Sequence, residues 1–333
     1  MLAAREALLA PAAAREGTSV GRAVAEPPDP LRLAYQLDRD RIIHTRAFRR
    51  LKHKTQVFVI PDSDHVVTRM THTIEVQLVA RTIARALNLN EDLAEAIAWG
   101  HDLGHTPFGH AGEECLGALL PDGFRHNEQS LRIVDLLARD GRGLNLTAET
   151  REGILKHSKA RDSIASEAWG TASTLEGQIV KLADSIAYLN HDVEDAVDAG
   201  VISEHDLPAE ARATLGGPDQ RLDTLIGDCV RESMPAALGG EQRIGLGEAV
   251  LAATDVLREF MFERVYLIES TLRDAQRGQR VVAALFRHFA AHPDQIRGWS
   301  RPDDPPWRRA ADYVSGMTDG FAIREATRLG LST

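Results

Sequence analysis

The run Trp99-Gly-His-Asp-Leu-Gly-His-Thr-Pro-Phe-Gly-His-Ala-Gly-Glu113 places three imidazoles (His101, His105, His110) and two carboxylates (Asp102, Glu113) within thirteen residues. Gly104, Pro107, Gly109 and Gly112 between them deny the segment one continuous helix. Such a stretch is built to converge side chains on a point. Adjacent His101 and Asp102 offer a neutral nitrogen and a hard anionic oxygen, a ligand mixture suited to Mn, Fe, Mg or Zn rather than the thiolate sets of structural zinc. Sequence neighbours do not share a helix face, so both reach one ion only from a helix end, which Gly104 and Pro107 supply. Alone, a His-Asp pair is more often a cap than a ligand set; its company decides.

Upstream, Asn90 to Trp99 has an N-cap asparagine and first-turn acids, so a helix runs straight into His101-Asp102. Before it, Val66 to Leu87 repeats apolar residues at helical spacing and carries His72. Downstream, His110 and Glu113 are three apart at the start of a short helix, so the carboxylate can orient the imidazole. Phe124 to about Arg139 reads as the next helix and contains His126, and His157 reads as a surface or capping residue. Thr174 to Ala199 is a long amphipathic helix with Asp184, Tyr188 and Asp192 at i, i+4 and i+8, hence on one face. Asp184 sits in an apolar run, where a carboxylate is costly unless paired or metal-bound. It is the best candidate for the missing ligand.

From Arg32 to Gln56 eight Arg or Lys face two acids, a local excess of +6 in a chain of net charge -10. Apolar residues at helical spacing make this a helix with one basic face, suited to a polyanionic ligand such as phosphates. Residues 56–67 suggest a small β-hairpin. Residues 1–30, rich in Ala, Gly and Pro, read as an extended arm. Leu246–Ile268, Gln279–Ala291 and Ala310–Leu329 read as further helices, while 200–245 gives no motif. Strand-like runs are nearly absent. The expected fold is therefore all-α: an arm (1–30), a catalytic core (31–200) and a helical C-terminal part (201–333) packed on it as one globular unit.

The composition fits: 43% apolar residues allow a large core, and 5% aromatics suit packed helices better than a sandwich. The negative charge argues against indiscriminate nucleic-acid binding without excluding a local basic groove. Two cysteines give no disulfide framework, which indicates a reducing compartment. The opening apolar run is broken by Arg5, Glu6 and Pro11, and no later run reaches membrane length without charges. A cytoplasmic protein that does not enter membranes is expected.

His72, then His101-Asp102, then Asp184 follow the order H…HD…D, and the chain resembles the HD-domain metal-dependent phosphohydrolases. The runs Arg39–Phe58, Arg69–His72, His101–Glu113, Ala183–Asp195 and Asp312–Asp319 more closely resemble the deoxyguanosinetriphosphate triphosphohydrolase family. The resemblance implies an HD helical bundle with peripheral helices that hydrolyses a deoxynucleoside triphosphate to deoxynucleoside and intact triphosphate. It implies His72, His101, Asp102 and Asp184 as ligands of a divalent ion, Mn2+ or Mg2+ foremost, with Fe, Co, Ni or Zn as alternatives. It further implies His110 and Glu113 as the catalytic His and acid, with His126 as a second active-site His near the phosphates. Arg69 and His105 would lie by the phosphates, Gln56 beside sugar and base, and Tyr188 with Asp192 at the deoxyribose 3′-hydroxyl. A homo-oligomer, commonly a hexamer, is implied, with an activating nucleotide and single-stranded nucleic acid as further candidate partners.

The residues support these roles without the name. A divalent ion lowers the pKa of water and offsets transition-state charge. An alkoxide leaving group needs a proton, and His110 steered by Glu113 is built to donate it. The rivals are an HD hydrolase acting on a monophosphate or cyclic dinucleotide, and a catalytically silent nucleotide or single-stranded nucleic-acid sensor.

Overall fold

The computed structural model describes residues 4, 6–56, 67–158 and 170–332. The helical periodicities become α1 (Ala34–Ile43), α2 (Arg46–Arg50), α3 (Arg69–Ala86), α4 (Glu91–Gly100), α5 (Gly109–Leu119), α6 (His126–Arg132), α7 (Ala148–Lys156), α8 (Leu175–Asp198), α9 (Ala209–Leu215), α10 (Pro218–Ala237), α11 (Glu248–Met261), α12 (Glu269–Ala291), α13 (Pro306–Ser315) and α14 (Asp319–Arg328). The fold is all-α. Among the described residues there is no strand, and β-type pairing is confined to isolated bridges, Arg22 with Thr147 and Thr55 with Thr68. The expected hairpin at 56–67 falls almost wholly on 57–66, outside the described residues.

Several boundaries differ from those read in the sequence, each for a local reason. The basic stretch is two helices, because the Thr45 hydroxyl accepts the Phe48 N–H at 3.0 Å and starts α2 afresh. Much of its charge is spent internally: Arg32 pairs with Asp29 and Asp40, and Arg39 with Glu95. Arg41 donates to the carbonyls of Leu144 and Asn145, leaving Arg46 and Arg49 exposed. After Arg132, α6 widens into a π turn over Ile133–Leu137 rather than running on as an α-helix. The last expected helix is likewise two, since Thr318 caps α14 by accepting from Phe321 N. His157 does cap α7, but it is buried rather than on the surface.

By contacts the chain divides into two compact units, each assembled from three stretches: 1–40, 73–99 and 146–268, and 41–72, 100–145 and 269–333. In the first unit α8 is the central element, started by Thr174, whose hydroxyl accepts from Gly177 N. The N-terminal segment lies along this unit, with Ala14 N on Glu176, Ser19 Oγ on Glu149 and Arg22 on Asp38.

The second unit has an apolar core in which Leu116, Leu120 and Phe124 meet Val282, Leu285 and Phe289 of α12 and Ala310, Val314, Ala322 and Ala326 of α13 and α14. Each large side chain buried there contributes about 1.5–3 kcal/mol, so α5 is fixed from below while its first turn stays free for chemistry.

A histidine and carboxylate site in the second unit

Helix α4 stops at Gly100, so His101 and Asp102 stand in the turn that follows. The turn is pinned by Ser130, whose hydroxyl donates to the His101 carbonyl at 2.6 Å and accepts from Gly104 N at 2.8 Å. Gly104 is required by close approach, since a Cβ there would lie 2.3 Å from His126 O and Ser130 N. The first turn of α3 brings Arg69 and His72 to the same point. His72, His101 and Asp102 are all buried, and one ligand atom from each lies within 4.8 Å of the others.

Asp102 is the hub. Arg69 Nη1 donates to its Oδ2 at 2.8 Å, and His105 Nε2 and His101 Nε2 lie 3.2 and 3.4 Å from its Oδ1. Burial alone would push its carboxyl up, but His101, His105 and Arg69 outweigh that and hold it well below the usual carboxylate range. Asp102 is a permanent anion here, as a metal ligand must be.

The remaining imidazoles form a rack beside it. His105 and His126 stack with ring centroids 3.9 Å apart, and the His110 ring stands edge-on to His105 at 5.4 Å. Glu113 grips His126 on its Nδ1 at 2.9 Å and its backbone N–H at 2.7 Å, and approaches His110 Nδ1 at 3.4 Å. Burial would raise the Glu113 carboxyl, but His126, His110 and His105 hold it well below its usual range. Burial would lower His126, and Glu113 overrides it to raise the imidazole. His105, buried beside Arg69, is pushed well below the ordinary imidazole value and stays neutral.

Asp102, His105 and His126 also converge within 4.8 Å. His126 is committed to Glu113 and favours its protonated form, so the His72–His101–Asp102 set is the better metal corner. Gly109, at a φ of +57°, follows Phe108 at +62°, and this left-handed pair swings α5 so that His110 stays more than half exposed at the mouth of the rack. Gln56 is buried near Gly109, its Oε1 without a hydrogen-bond partner among the described residues.

In the first unit α8 carries Asp184 and Tyr188, both half-buried, and the fully buried Asp192. Asp192 accepts the Tyr266 hydroxyl at 2.5 Å, and His191 Nδ1 lies 3.0 Å away. The Tyr188 and Tyr266 rings are 6.0 Å apart. Tyr266 was not foreseen; it follows α11 in a π turn, and the only signal for it was an aromatic inside the amphipathic run Leu246–Ile268. Lys54 and Asp319 were also missed as parts of the site's support.

A family model described as "HD domain" matches residues 69–189, and one described as "Phosphohydrolase-associated domain" matches 244–328. A deoxyguanosinetriphosphate triphosphohydrolase-like protein of Caldanaerobacter subterraneus is 49% identical over 95% of this chain and 90% of its own. The chain belongs to the deoxyguanosinetriphosphate triphosphohydrolase-like family. Other proteins of that name, from Clostridium perfringens and Desulfatibacillum aliphaticivorans, are 44% and 42% identical over 93% and 98% of this chain and 91% and 95% of theirs. A crystal structure of a hypothetical protein from Aquifex aeolicus aligns at 18% identity and a TM-score of 0.45, over 87% of this chain and 68% of that one.

As a member of the family the chain is an HD-type phosphohydrolase, and its buried His/Asp cluster points to a divalent metal site. Among the described residues no helix is long and apolar enough to cross a membrane.

Proposed function

We propose that this protein hydrolyses deoxynucleoside triphosphates to deoxynucleoside and inorganic triphosphate, with water attacking the α-phosphorus. The observation that carries the reading is the meeting, in one buried spot, of a metal-competent His72–His101–Asp102 set, the Arg69 cation and a carboxylate-linked histidine rack. The relatives' names favour the same substrate class.

The donor set fits a divalent ion: two imidazoles and a carboxylate already ionised. Bound there, the ion would polarise the α-phosphate and offset developing negative charge. The chain's own residues do the rest. Arg69, and His126 with its basicity raised by Glu113, favour positive charge where the triphosphate must lie. His105, neutral, offers a hydrogen bond without adding charge.

His110, exposed at the mouth, delivers a proton to the departing 5′-oxygen, and Glu113 restrains its ring. Because Glu113 holds His126 more closely than His110, proton donation and phosphate binding are coupled through one carboxylate. Gln56 would face the sugar and base, and Tyr188 with Asp192 would recognise the 3′-hydroxyl.

The test is an assay of each deoxynucleotide, alone and mixed, with Mn2+ or Mg2+, reading triphosphate release, with Asp102→Ala as control. Triphosphate from wild type alone supports the reading. Release of single phosphates, or equal inertness of wild type and variant across all four deoxynucleotides, overturns it.

A further inference from the structure

The histidine rack does not hold itself; one short segment near the end of the chain touches every piece that carries it. Asp312, on α13, accepts from Gln129 Nε2 and Arg132 Nε, both at 2.9 Å, and from Arg132 Nη2 at 2.7 Å. Both donors are on α6, whose first residue is His126. Three residues on, the Ser315 carbonyl accepts from the buried Lys54 Nζ at 2.8 Å, and the same nitrogen donates to the carbonyl of His105. Four residues further, Asp319 accepts the Phe108 N–H on one carboxylate oxygen at 3.0 Å. On the other it accepts the Thr55 N–H at 2.9 Å, together with the Thr55 hydroxyl.

Phe108 needs such a clamp. It is a non-glycine residue in the left-handed region two residues before His110, a conformation that costs about 1–2 kcal/mol and persists only when its surroundings enforce it. Its ring lies where Gly278 of α12 leaves room, since a Cβ on Gly278 would stand 2.7 Å from that ring. The apolar core anchors α12, α13 and α14 to α5 from behind.

We propose that residues 312–319 are a positioning frame for the reaction: Asp312 sets His126, Ser315 through Lys54 sets His105, and Asp319 sets the Phe108 turn that aims His110. None of the three touches the substrate. They act through the histidines, so the assignment rests on the proposed function for its catalytic consequence, though not for its structural one. Misplacing reacting groups by about 1 Å costs on the order of 10² in rate, and that is the lever the frame controls.

The test uses the full chain bearing Asp319→Asn, whose single carbonyl oxygen can serve Phe108 or Thr55 but not both, and Thr55→Val as a milder variant that keeps the shape. The readouts are kcat and KM for a deoxynucleotide, the dissociation constant for Mn2+ alone, and backbone amide hydrogen exchange without ligand. The expected result for Asp319→Asn is a fall in kcat of at least about tenfold, with KM and Mn2+ affinity within about twofold of wild type. Exchange should quicken over 105–110 and stay unchanged in α8, and Thr55→Val should show the same pattern in weaker form. Unchanged kcat, or a loss that merely follows the folded fraction while exchange over 105–110 stays at its wild-type rate, would overturn the frame. If wild type itself turns over no deoxynucleotide, the functional reading falls, and the exchange data alone still decide whether the frame exists.

Discussion

Asp102 and Asp192 are both buried carboxylates with a histidine as sequence neighbour, yet their surroundings differ in kind. Asp102 is encircled by a guanidinium and imidazoles, three of which come from within a few residues of itself or from one turn of α3. Asp192 is held by a phenol 74 residues away and by His191 beside it. A guanidinium and several ligand nitrogens surround the first, whereas the second has one imidazole and one phenol hydroxyl. The same residue type is thus set among a guanidinium and imidazoles in one place and against a phenol and an imidazole in the other.

The contrast can be broken or sharpened by substitution. Asp102→Ala removes the hub, and turnover should fall by on the order of 10³ or more, with loss of Mn2+ binding measured by calorimetry. Retained metal affinity would mean that the ion sits elsewhere. Glu113→Gln keeps size but loses the charge that raises His126 and restrains His110, so kcat should drop by about 10², read as steady-state turnover.

On the other side, Asp192→Asn should act on substrate recognition, lowering kcat/KM for deoxynucleotides by about tenfold while Mn2+ affinity holds. Equal damage to metal binding would erase the distinction between the two carboxylates. The smallest effect belongs to Tyr266→Phe, which strips a donor from buried Asp192. It should destabilise the protein by about 1–3 kcal/mol in thermal melts and lower kcat/KM a few-fold.

The contrast also explains what could be read in advance. His101, Asp102, His105, His110 and Glu113 lie in one segment whose glycines announce a turn, and His72 is a polar residue on a half-apolar helix. The all-α fold followed from periodicity. Tyr266 could not be found this way, because its partner is remote and an aromatic inside an amphipathic helical run is ordinarily core.

The basic stretch misled for a different reason: a charge count does not reveal that Arg32, Arg39 and Arg41 are consumed by internal partners, nor that Thr45 restarts the helix. Likewise, Asp312–Asp319 was legible as a family-like block, but its purpose lay in hydrogen bonds to Gln129, Lys54, Thr55 and Phe108, which no periodicity records.

The central claim is attack by water at the α-phosphorus with the 5′-oxygen leaving, and oxygen labelling tests it most directly. Turnover of a deoxynucleoside triphosphate with Mn2+ in water enriched in oxygen-18, followed by mass spectrometry of both products, should place the label in the triphosphate and leave the deoxynucleoside unlabelled. Label in the deoxynucleoside hydroxyl, or in a released monophosphate, would contradict the account.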